Sequence, residues 1–426
     1  MENTPMFGDY VRINLIKQTY EGFLLESSNE DKGIVLIKLN SGYNIGFYQK
    51  DILNIEVIKK GEIPKKESTE LQKDSNSKKP NIAIIMTGGT IGARLNPKKG
   101  GVDYINTPES LFKTYPEAFK DVNIKEVEVL FKKDSSDLDY KDWKKIAKTA
   151  EKFLNNSEIQ GVIITHGTDT LHYTSSALSF FLKNVNKPVV LVYSQRSIDR
   201  ASSDANLNLQ CATTAVISDI AEVMIVGHAT TNDDYCYAMP GAKVRKMHSS
   251  RRDAFKVING KPYAKIIPGQ ITRISGYHLR SKGKVQLDLK FEEKVALLKF
   301  YPGQDPEILD YYFEKGYKGI VIEMFGLGQA ATKEARLGWT KKLKEMTEKG
   351  MIICATTQTI YGRIDPLVYS AGRELYHTGI IYLEDMISET AFVKLGWVLG
   401  KTNDPKEVKE LMLKSIAGEL NYRLEE

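Results

Sequence analysis

Two short strings of small, hydroxyl-bearing residues carry the side chains best suited to chemistry in this sequence. Thr-Gly-Gly-Thr at residues 87–90 follows the apolar run 82–86, and Thr-His-Gly-Thr-Asp-Thr at residues 165–170 follows the apolar run 162–164. In open α/β sheets, ligands bind just beyond the ends of the strands. Glycine lets a backbone approach a bound molecule closely, and a threonine hydroxyl can act as a nucleophile. The two strings therefore predict one pocket that contains a hydroxyl nucleophile.

A threonine hydroxyl needs help to attack, because it is a weak nucleophile until a base removes its proton. Asp169 is a carboxylate beside Thr168, and Lys246 could act as a base if a dry, cationic neighbourhood lowered its pKa. Paired hydroxyl and lysine groups recur in hydrolases. The glycine amides beside Thr90 could form an oxyanion hole for a tetrahedral intermediate.

Each of these signals also has a structural interpretation. Gly-Gly turns after strands are common, and Asp169 or Thr170 could simply cap a helix. A single lysine such as Lys246 is most often a surface residue, and the charged residues around it could be solvated. The string Gly-Leu-Gly-Gln-Ala at 326–330 lacks the third glycine and the Lys-Thr of a phosphate loop, so it predicts a tight turn.

The composition is that of an ordinary globular protein. The 426 residues suffice for about two or three domains. A net charge of +6 permits contact with nucleic acid without predicting it. The three cysteines are scattered, Cys354 sits in the apolar run 351–355, and a cytoplasmic, reduced setting is expected. We expect no metal site, no membrane span and no signal peptide, since the six histidines lack ligand spacing and the apolar runs are short.

The periodicity divides the chain into segments of different type. Residues 1–60 alternate in short runs with turn residues between them, which predicts a five-stranded, SH3-like β-barrel. Residues 61–79 are lysine-, glutamate- and serine-rich and predict a flexible linker. Strands alternating with helices then predict two α/β domains with parallel sheets, at 80–285 and 286–426.

Four helices are expected in these α/β domains. Three should cover about 171–183, 205–218 and 339–349. The last should begin at Asp404-Pro405, with the aspartate as N-cap and the proline in the first turn.

Taken in this order and spacing, the two threonine strings resemble the asparaginase/glutaminase superfamily, from about Asn81 to the carboxyl terminus. The resemblance implies an asparaginase-like two-domain core in which Thr90 is the primary nucleophile. It also implies a second catalytic group, formed by Thr168, Asp169 and Lys246. The substrate-binding residues that it implies are Gly89, Ser135, Ser136, Gly167 and Asp169, with the two serines on the α-carboxylate and Asp169 on the α-amino group.

One departure from the family pattern lies in the loop after the first string. Many members place a tyrosine there to polarise the nucleophile, whereas this chain has Pro97 at about that position. Either Tyr104 takes the role or Thr90 is activated otherwise. Which of Thr90 and Thr168 forms the acyl intermediate therefore stays open.

The barrel, the linker and the string at 194–205 resemble one branch of the superfamily, the glutaminase subunits of archaeal-type tRNA-dependent amidotransferases. This resemblance implies glutamine hydrolysis, with ammonia passed to a GatE-type partner subunit that binds glutamyl-tRNA(Gln). ATP and Mg²⁺ would be used by that partner, and this chain would need no cofactor. A homodimer core within a heterotetramer is also implied. Two alternatives remain, a free-standing L-asparaginase with an appended barrel, and a binding module on an inactive scaffold.

Overall fold

The structure is a computed structural model that describes residues 4–25, 33–40, 44–61, 79–95, 102–104, 111–112, 114–197 and 202–424. Apart from residues 61 and 79, the predicted linker lies outside the described residues. So do the loop that contains Pro97 and the part of the 194–205 string at 198–201.

The amino-terminal segment forms a five-stranded antiparallel sheet, as predicted. Its strands are β1 (Tyr10–Leu15), β2 (Thr19–Leu25), β3 (Ile34–Leu39), β4 (Asn44–Tyr48) and β5 (Ile52–Lys59), in the order β4-β3-β2-β1-β5. A one-turn 3₁₀ helix at Gln49–Asp51 joins the last two. Alternate residues such as Val11, Ile13 and Ile37 are buried, because strand side chains alternate between faces. The sheet thus encloses a core of its own, consistent with a small barrel.

The first α/β domain contains the next fourteen described strands. They are β6 (Asn81–Gly88), β7 (Ala93–Leu95), β8 (Val102–Tyr104), β9 (Asn123–Lys133), β10 (Val162–Thr165), β11 (Leu182–Lys183), β12 (Val189–Val192), β13 (Val223–His228), β14 (Cys236–Pro240), β15 (Val244–Lys246), β16 (Phe255–Val257), β17 (Ala264–Ile267), β18 (Gln270–Arg273) and β19 (Gln286–Leu287). Its helices are α1 (Tyr140–Leu154), α2 (Leu171–Phe181) and α3 (Ala205–Val216), with 3₁₀ turns at Thr90–Gly92, Pro116–Phe119 and Ser135–Asp137.

The main sheet of this domain runs in the order β18-β17-β14-β13-β12-β10-β6-β9. Strands β9, β6, β10, β12 and β13 are parallel, and the remaining three are antiparallel. Since β6 lies between β9 and β10, the segments that follow these three strands leave the sheet at the same edge. Strands β6 and β10 are almost fully buried apolar runs, as expected for a parallel sheet covered on both faces.

The second α/β domain has a parallel sheet of β20 (Val295–Lys299), β21 (Gly319–Met324), β22 (Ile352–Thr357) and β23 (Ile381–Tyr382), in that order. Its helices are α4 (Ile308–Glu314), α5 (Thr340–Glu348), α6 (Ser370–Tyr376), α7 (Ser388–Leu399) and α8 (Pro405–Leu413). Helix α2 packs against α7, where the rings of Phe180 and Trp397 stack 5.5 Å apart. These features confirm the predicted fold class.

Most local predictions hold at this level, but two helix ends were predicted two residues too late, since α2 ends at Phe181 and α3 at Val216. Asp404 caps α8, since its side chain accepts from the amides of Lys406 and Glu407. Residues 326–330 form a tight turn, and Cys354 is fully buried. Helix α2 ends at Phe181 rather than at 183, because Leu182 and Lys183 pair as a strand with β19. In the part of the chain that is described, no helix is both long and apolar enough to cross a bilayer.

Candidate active site

The candidate site lies where three neighbouring strands end. Ser135 follows β9, the Gly89-Thr90 pair follows β6, and the Gly167-to-Asp169 segment follows β10. These strands are adjacent and parallel, so the three segments emerge side by side. A bond from the Thr87 hydroxyl to the Thr165 carbonyl, 2.8 Å long, ties the ends of β6 and β10 together.

Two glycines bring the segments into direct backbone contact. Gly89 has φ +83°, and a Cβ atom there would lie 2.4 Å from the Gly167 nitrogen. A Cβ atom on Gly167 would lie 2.7 Å from the Ser135 Oγ atom. Only glycine allows such an approach without displacing a neighbour. Because Thr90 and Thr168 each follow one of the touching glycines, their backbone segments are neighbours at this edge of the sheet.

Lys246 reaches this site from β15, far along the chain. Its Nζ atom lies 2.8 Å from the Thr168 Oγ1 atom and 2.8 Å from an Asp169 carboxylate oxygen. The lysine side chain is 12 % exposed, whereas Asp169 is 70 % exposed and so open to a ligand. Hydroxyl, amine and carboxylate are thus within hydrogen-bond reach, the distance over which a proton can pass to or from an attacking hydroxyl.

Ser135 braces the loop that holds Asp169. Its buried Oγ atom accepts a hydrogen bond from the Asp169 amide at 3.2 Å, which leaves the serine proton available to an acceptor. The Thr170 hydroxyl donates to the Ser135 carbonyl at 2.6 Å instead of capping α2, whose N-cap makes no side-chain bond. The interpretation of Asp169 and Thr170 as helix caps was therefore wrong. Ser136 is exposed beside Ser135.

Two neutral histidines lie behind the threonines. Burial lowers the pKa of His166 to about 4 and that of His172 to about 3, and the nearby Arg245 cation contributes to the second shift. The His166 Nδ1 atom lies 2.7 Å from the Gly167 carbonyl oxygen, so a neutral ring with a proton on Nδ1 donates to that acceptor. Because both imidazole rings are neutral, they add no charge near the candidate reacting groups.

The charged residues beside Lys246 form ion pairs that could not be predicted from the sequence. Lys243 and Arg245 are not solvated, because they pair with Asp385 and Glu389 of the second α/β domain at 2.8 and 2.9 Å. Nothing local in the sequence marks those two acids as partners. The one available signal is strand alternation, which places Arg245 on the face opposite Lys246.

The 194–205 string lies at the end of β12, next to β10 in the sheet. The buried Asp204 carboxylate accepts hydrogen bonds from the amides of Gln195 and Arg196, and so shapes the described part of this loop. Burial raises the pKa of Asp204 in spite of those bonds. Within the described ranges, no cluster of three or more histidine, cysteine, aspartate or glutamate residues is arranged to hold a metal ion. The side chain of Tyr104 lies outside the described part of the structure.

Comparison with known families divides the chain as follows. Residues 81–276 match the model of the asparaginase N-terminal domain, and residues 294–412 match that of the glutaminase/asparaginase C-terminal domain. Residues 6–58 match the GatD N-terminal domain.

Relatives match nearly the whole chain. The GatD subunit of the Thermococcus kodakarensis glutamyl-tRNA(Gln) amidotransferase is 48% identical over 97% of this chain and 94% of its own length. The corresponding Methanococcus maripaludis protein is 43% identical over 97% of this chain and 98% of its own. Among solved structures, the thermostable L-asparaginase from Thermococcus kodakarensis is similar with a TM-score of 0.72 and 28% identity, covering 80% of this chain and 100% of that one.

Fold and site together define the class: this is an asparaginase-type enzyme with threonines at two adjacent strand ends. Within that class, the match over the barrel as well as both α/β domains decides the family. The chain belongs to the GatD family of glutamyl-tRNA(Gln) amidotransferase subunits.

Proposed function

We propose that this chain is the glutaminase subunit of a tRNA-dependent amidotransferase. It hydrolyses glutamine to glutamate and supplies the ammonia that converts glutamyl-tRNA(Gln) to glutaminyl-tRNA(Gln). The observation that carries the chemistry is the Lys246 amine, 2.8 Å from both the Thr168 hydroxyl and the Asp169 carboxylate. Family membership supports glutamine as the substrate and glutamyl-tRNA(Gln) as the acceptor of the ammonia.

The reaction has two steps that balance without a cofactor. In the first, a threonine Oγ atom attacks the side-chain amide carbon of glutamine, the C–N bond breaks, and the hydroxyl proton goes to the leaving nitrogen as ammonia departs. In the second, water cleaves the γ-glutamyl ester, which restores the threonine hydroxyl and releases glutamate. Thr90 or Thr168 carries the ester. Lys246 is the group placed to receive and return the proton at Thr168, and amides beside Thr90 are proposed as the oxyanion hole.

The substrate is proposed to be held by its α-groups. Asp169, exposed at the mouth of the site, is suited to an α-ammonium, and the hydroxyls of Ser135 and Ser136 are suited to an α-carboxylate. Gly89 and Gly167 are proposed to contribute by letting the segments of Thr90, Thr168 and Ser135 lie close enough to line one substrate site.

The other half of the reaction is proposed to belong to a GatE-type partner, which would bind glutamyl-tRNA(Gln) and use ATP and Mg²⁺. We propose that this chain needs no cofactor, acts in the cytoplasm, and forms a homodimer core within a heterotetramer. Ammonia is useful only if it is shielded from water and protonation on its way, which favours hydrolysis inside the assembled complex.

The alternative of a free-standing L-asparaginase with an appended barrel has less support. The L-asparaginase structure covers 80% of this chain, whereas the Thermococcus kodakarensis GatD relative covers 97% with higher identity. The binding-module alternative leaves unexplained why Thr168, Asp169 and Lys246 are in mutual contact.

The test is reconstitution of the full chain with its natural partner. With glutamine, ATP, Mg²⁺ and glutamyl-tRNA(Gln), the complex is expected to form glutaminyl-tRNA(Gln), followed by acid-gel separation or by mass analysis of the esterified amino acid. A chain that hydrolyses asparagine faster than glutamine, without tRNA or partner, would support the asparaginase alternative instead.

A further inference from the structure

The strand that carries Lys246 is held from one side by the second α/β domain. Among the described strands, β15 pairs with β16 alone and lies outside the main sheet. A two-stranded ribbon has little stability of its own, so its position depends on what packs against it.

Three consecutive contacts come from the loop after β23 and the first turn of α7. The Asp385 carboxylate lies 2.8 Å from the Lys243 Nζ atom, and the Glu389 carboxylate lies 2.9 Å from the Arg245 Nε atom. In addition, the Thr390 hydroxyl donates to the Ala242 carbonyl at 2.9 Å. We call these three residues, Asp385, Glu389 and Thr390, the α7 clamp.

Because neighbouring side chains of a strand point to opposite faces, contacts of the clamp with one face affect the position of Lys246 on the other. Arg245, within β15, points toward the clamp, so the next residue, Lys246, points to the opposite face, where Thr168 lies. Lys243, directly before the strand, fixes its beginning through Asp385. A shift of the clamp therefore moves the Lys246 backbone relative to the threonine.

Burial makes the clamp stiff. Both side chains of the Lys243–Asp385 pair are almost inaccessible, at 4 % and 0 % exposure. The other Asp385 oxygen accepts from the Asn421 amide at 2.9 Å, which connects the carboxyl-terminal segment to the same point. A buried charge without its partner is strongly destabilising, so this pair tolerates little displacement.

We propose that the α7 clamp positions Lys246, so that the second α/β domain sets the reactivity of the threonine site without touching substrate. Asp385 and Glu389 are thus positioning residues that act through Lys243 and Arg245. This inference rests on the proposed glutaminase function. It predicts that loosening the clamp lowers kcat for glutamine hydrolysis more than it raises KM, because Lys246 acts at Thr168 but also contacts Asp169.

Three variants of the full chain, assembled with its natural partner, test the proposal. Glu389→Gln and Asp385→Asn keep shape and remove charge. The double variant Lys243→Met with Asp385→Asn leaves no unpaired buried charge. Asp288→Asn is the matched control, because it removes a carboxylate that pairs with Lys183 and Lys401, away from the clamp.

In all three clamp variants, kcat for glutamine hydrolysis is expected to fall by about tenfold to a hundredfold. A loss of this size is typical when a reacting group is misplaced by about 1 Å. KM for glutamine should rise by a smaller factor than kcat falls, since Asp169 keeps its own position on the loop, and the control should resemble wild type. Product formation from ammonium should be unchanged, since the partner's chemistry is intact. In the double variant, the thermal midpoint should recover while kcat stays low.

Recovery of both stability and kcat in the double variant would show that the pair serves folding alone and would overturn the inference. A wild-type kcat both in Glu389→Gln and in the double variant would also overturn the inference. A wild-type complex without glutaminase activity would overturn the proposed function, and the inference with it. Wild-type activity with insensitive clamp variants would overturn the inference alone.

Discussion

At the scale of single residues, the site depends on a lysine whose amine is hydrogen-bonded to two neighbouring side chains. The Nζ atom of Lys246 faces both a hydroxyl and a carboxylate, so removing the amine alters the proton path and the orientation of Asp169 together. Neither threonine is an effective nucleophile without such a neighbour.

Removing one of these groups is expected to abolish glutamine use but not ammonium use. Thr90→Ala, Asp169→Asn and Lys246→Ala should each lower glutamine-dependent formation of glutaminyl-tRNA by about a hundredfold or more, the usual contribution of proton transfer. Added ammonium should restore product, as measured in the reconstituted complex. Lys265→Ala, which alters an exposed lysine on β17, is the control. Failure of ammonium to rescue would indicate a folding or assembly defect.

The two buried histidines make stability depend on pH. Their pKa values are lowered in the folded state from 6.5 to about 4 for His166 and about 3 for His172. Between pH 6.5 and those values the unfolded chain binds more protons, so the free energy of unfolding falls as the pH falls. From pH 7 to pH 5, each histidine should lower it by about 2 kcal/mol.

Urea unfolding at pH 7 and pH 5 measures this loss. His172→Gln should reduce the loss by about 2 kcal/mol relative to wild type. An equal loss in wild type and His172→Gln would contradict the neutral buried imidazole.

At the scale of elements, the site exists because β9, β6 and β10 are neighbours and end together. The glycine contacts between the segments that follow them set how closely the threonines approach. The hairpin of β15 and β16 adds the lysine from outside the sheet.

Gly89→Ala should therefore destabilise the chain and abolish glutamine hydrolysis. Its Cβ atom would lie 2.4 Å from the Gly167 nitrogen, in addition to the strain of φ +83°. Gly269→Ala is a matched control, since Gly269 has φ +80° but no atom within 4 Å of the new Cβ. The control should lose about 1–2 kcal/mol from strain alone and keep its activity. Thermal unfolding and a glutaminase assay measure both, and equal effects in the two variants would exclude a specific role for the Gly89–Gly167 contact.

The local parts of this arrangement could be predicted from sequence. Apolar runs that end in glycine and threonine identify β6, β10 and their loops, and Asp-Pro identifies the start of α8. The partners of Lys243 and Arg245 could not be predicted, because they lie 142 and 144 positions away and no periodicity links them. The end of α2 was misjudged for the same reason, since its last residues pair with the distant β19.

At the scale of the whole molecule, two domains contribute to one site. Helix α2, which begins directly after Thr170, packs on α7, which contributes Glu389 and Thr390. The candidate catalytic segments and the clamp therefore adjoin the same interface between the two domains. The barrel adds a separate core of its own.

Glutaminase activity is expected to depend on assembly. The isolated chain should hydrolyse glutamine weakly, and addition of the partner with glutamyl-tRNA(Gln) should raise the rate, because free ammonia is otherwise lost to water. Ammonia release measured with and without partner and tRNA tests this dependence. Strong hydrolysis by the chain alone would count against a dedicated ammonia donor.

The central claim is that a threonine of this site forms the covalent intermediate, and mass spectrometry after treatment with an electrophilic glutamine analogue tests it most directly. We predict one adduct per chain, on the peptide that contains Thr90 or the peptide that contains Thr168, with loss of glutamine hydrolysis. An adduct elsewhere in the chain, or full inactivation without modification of either peptide, would contradict the account.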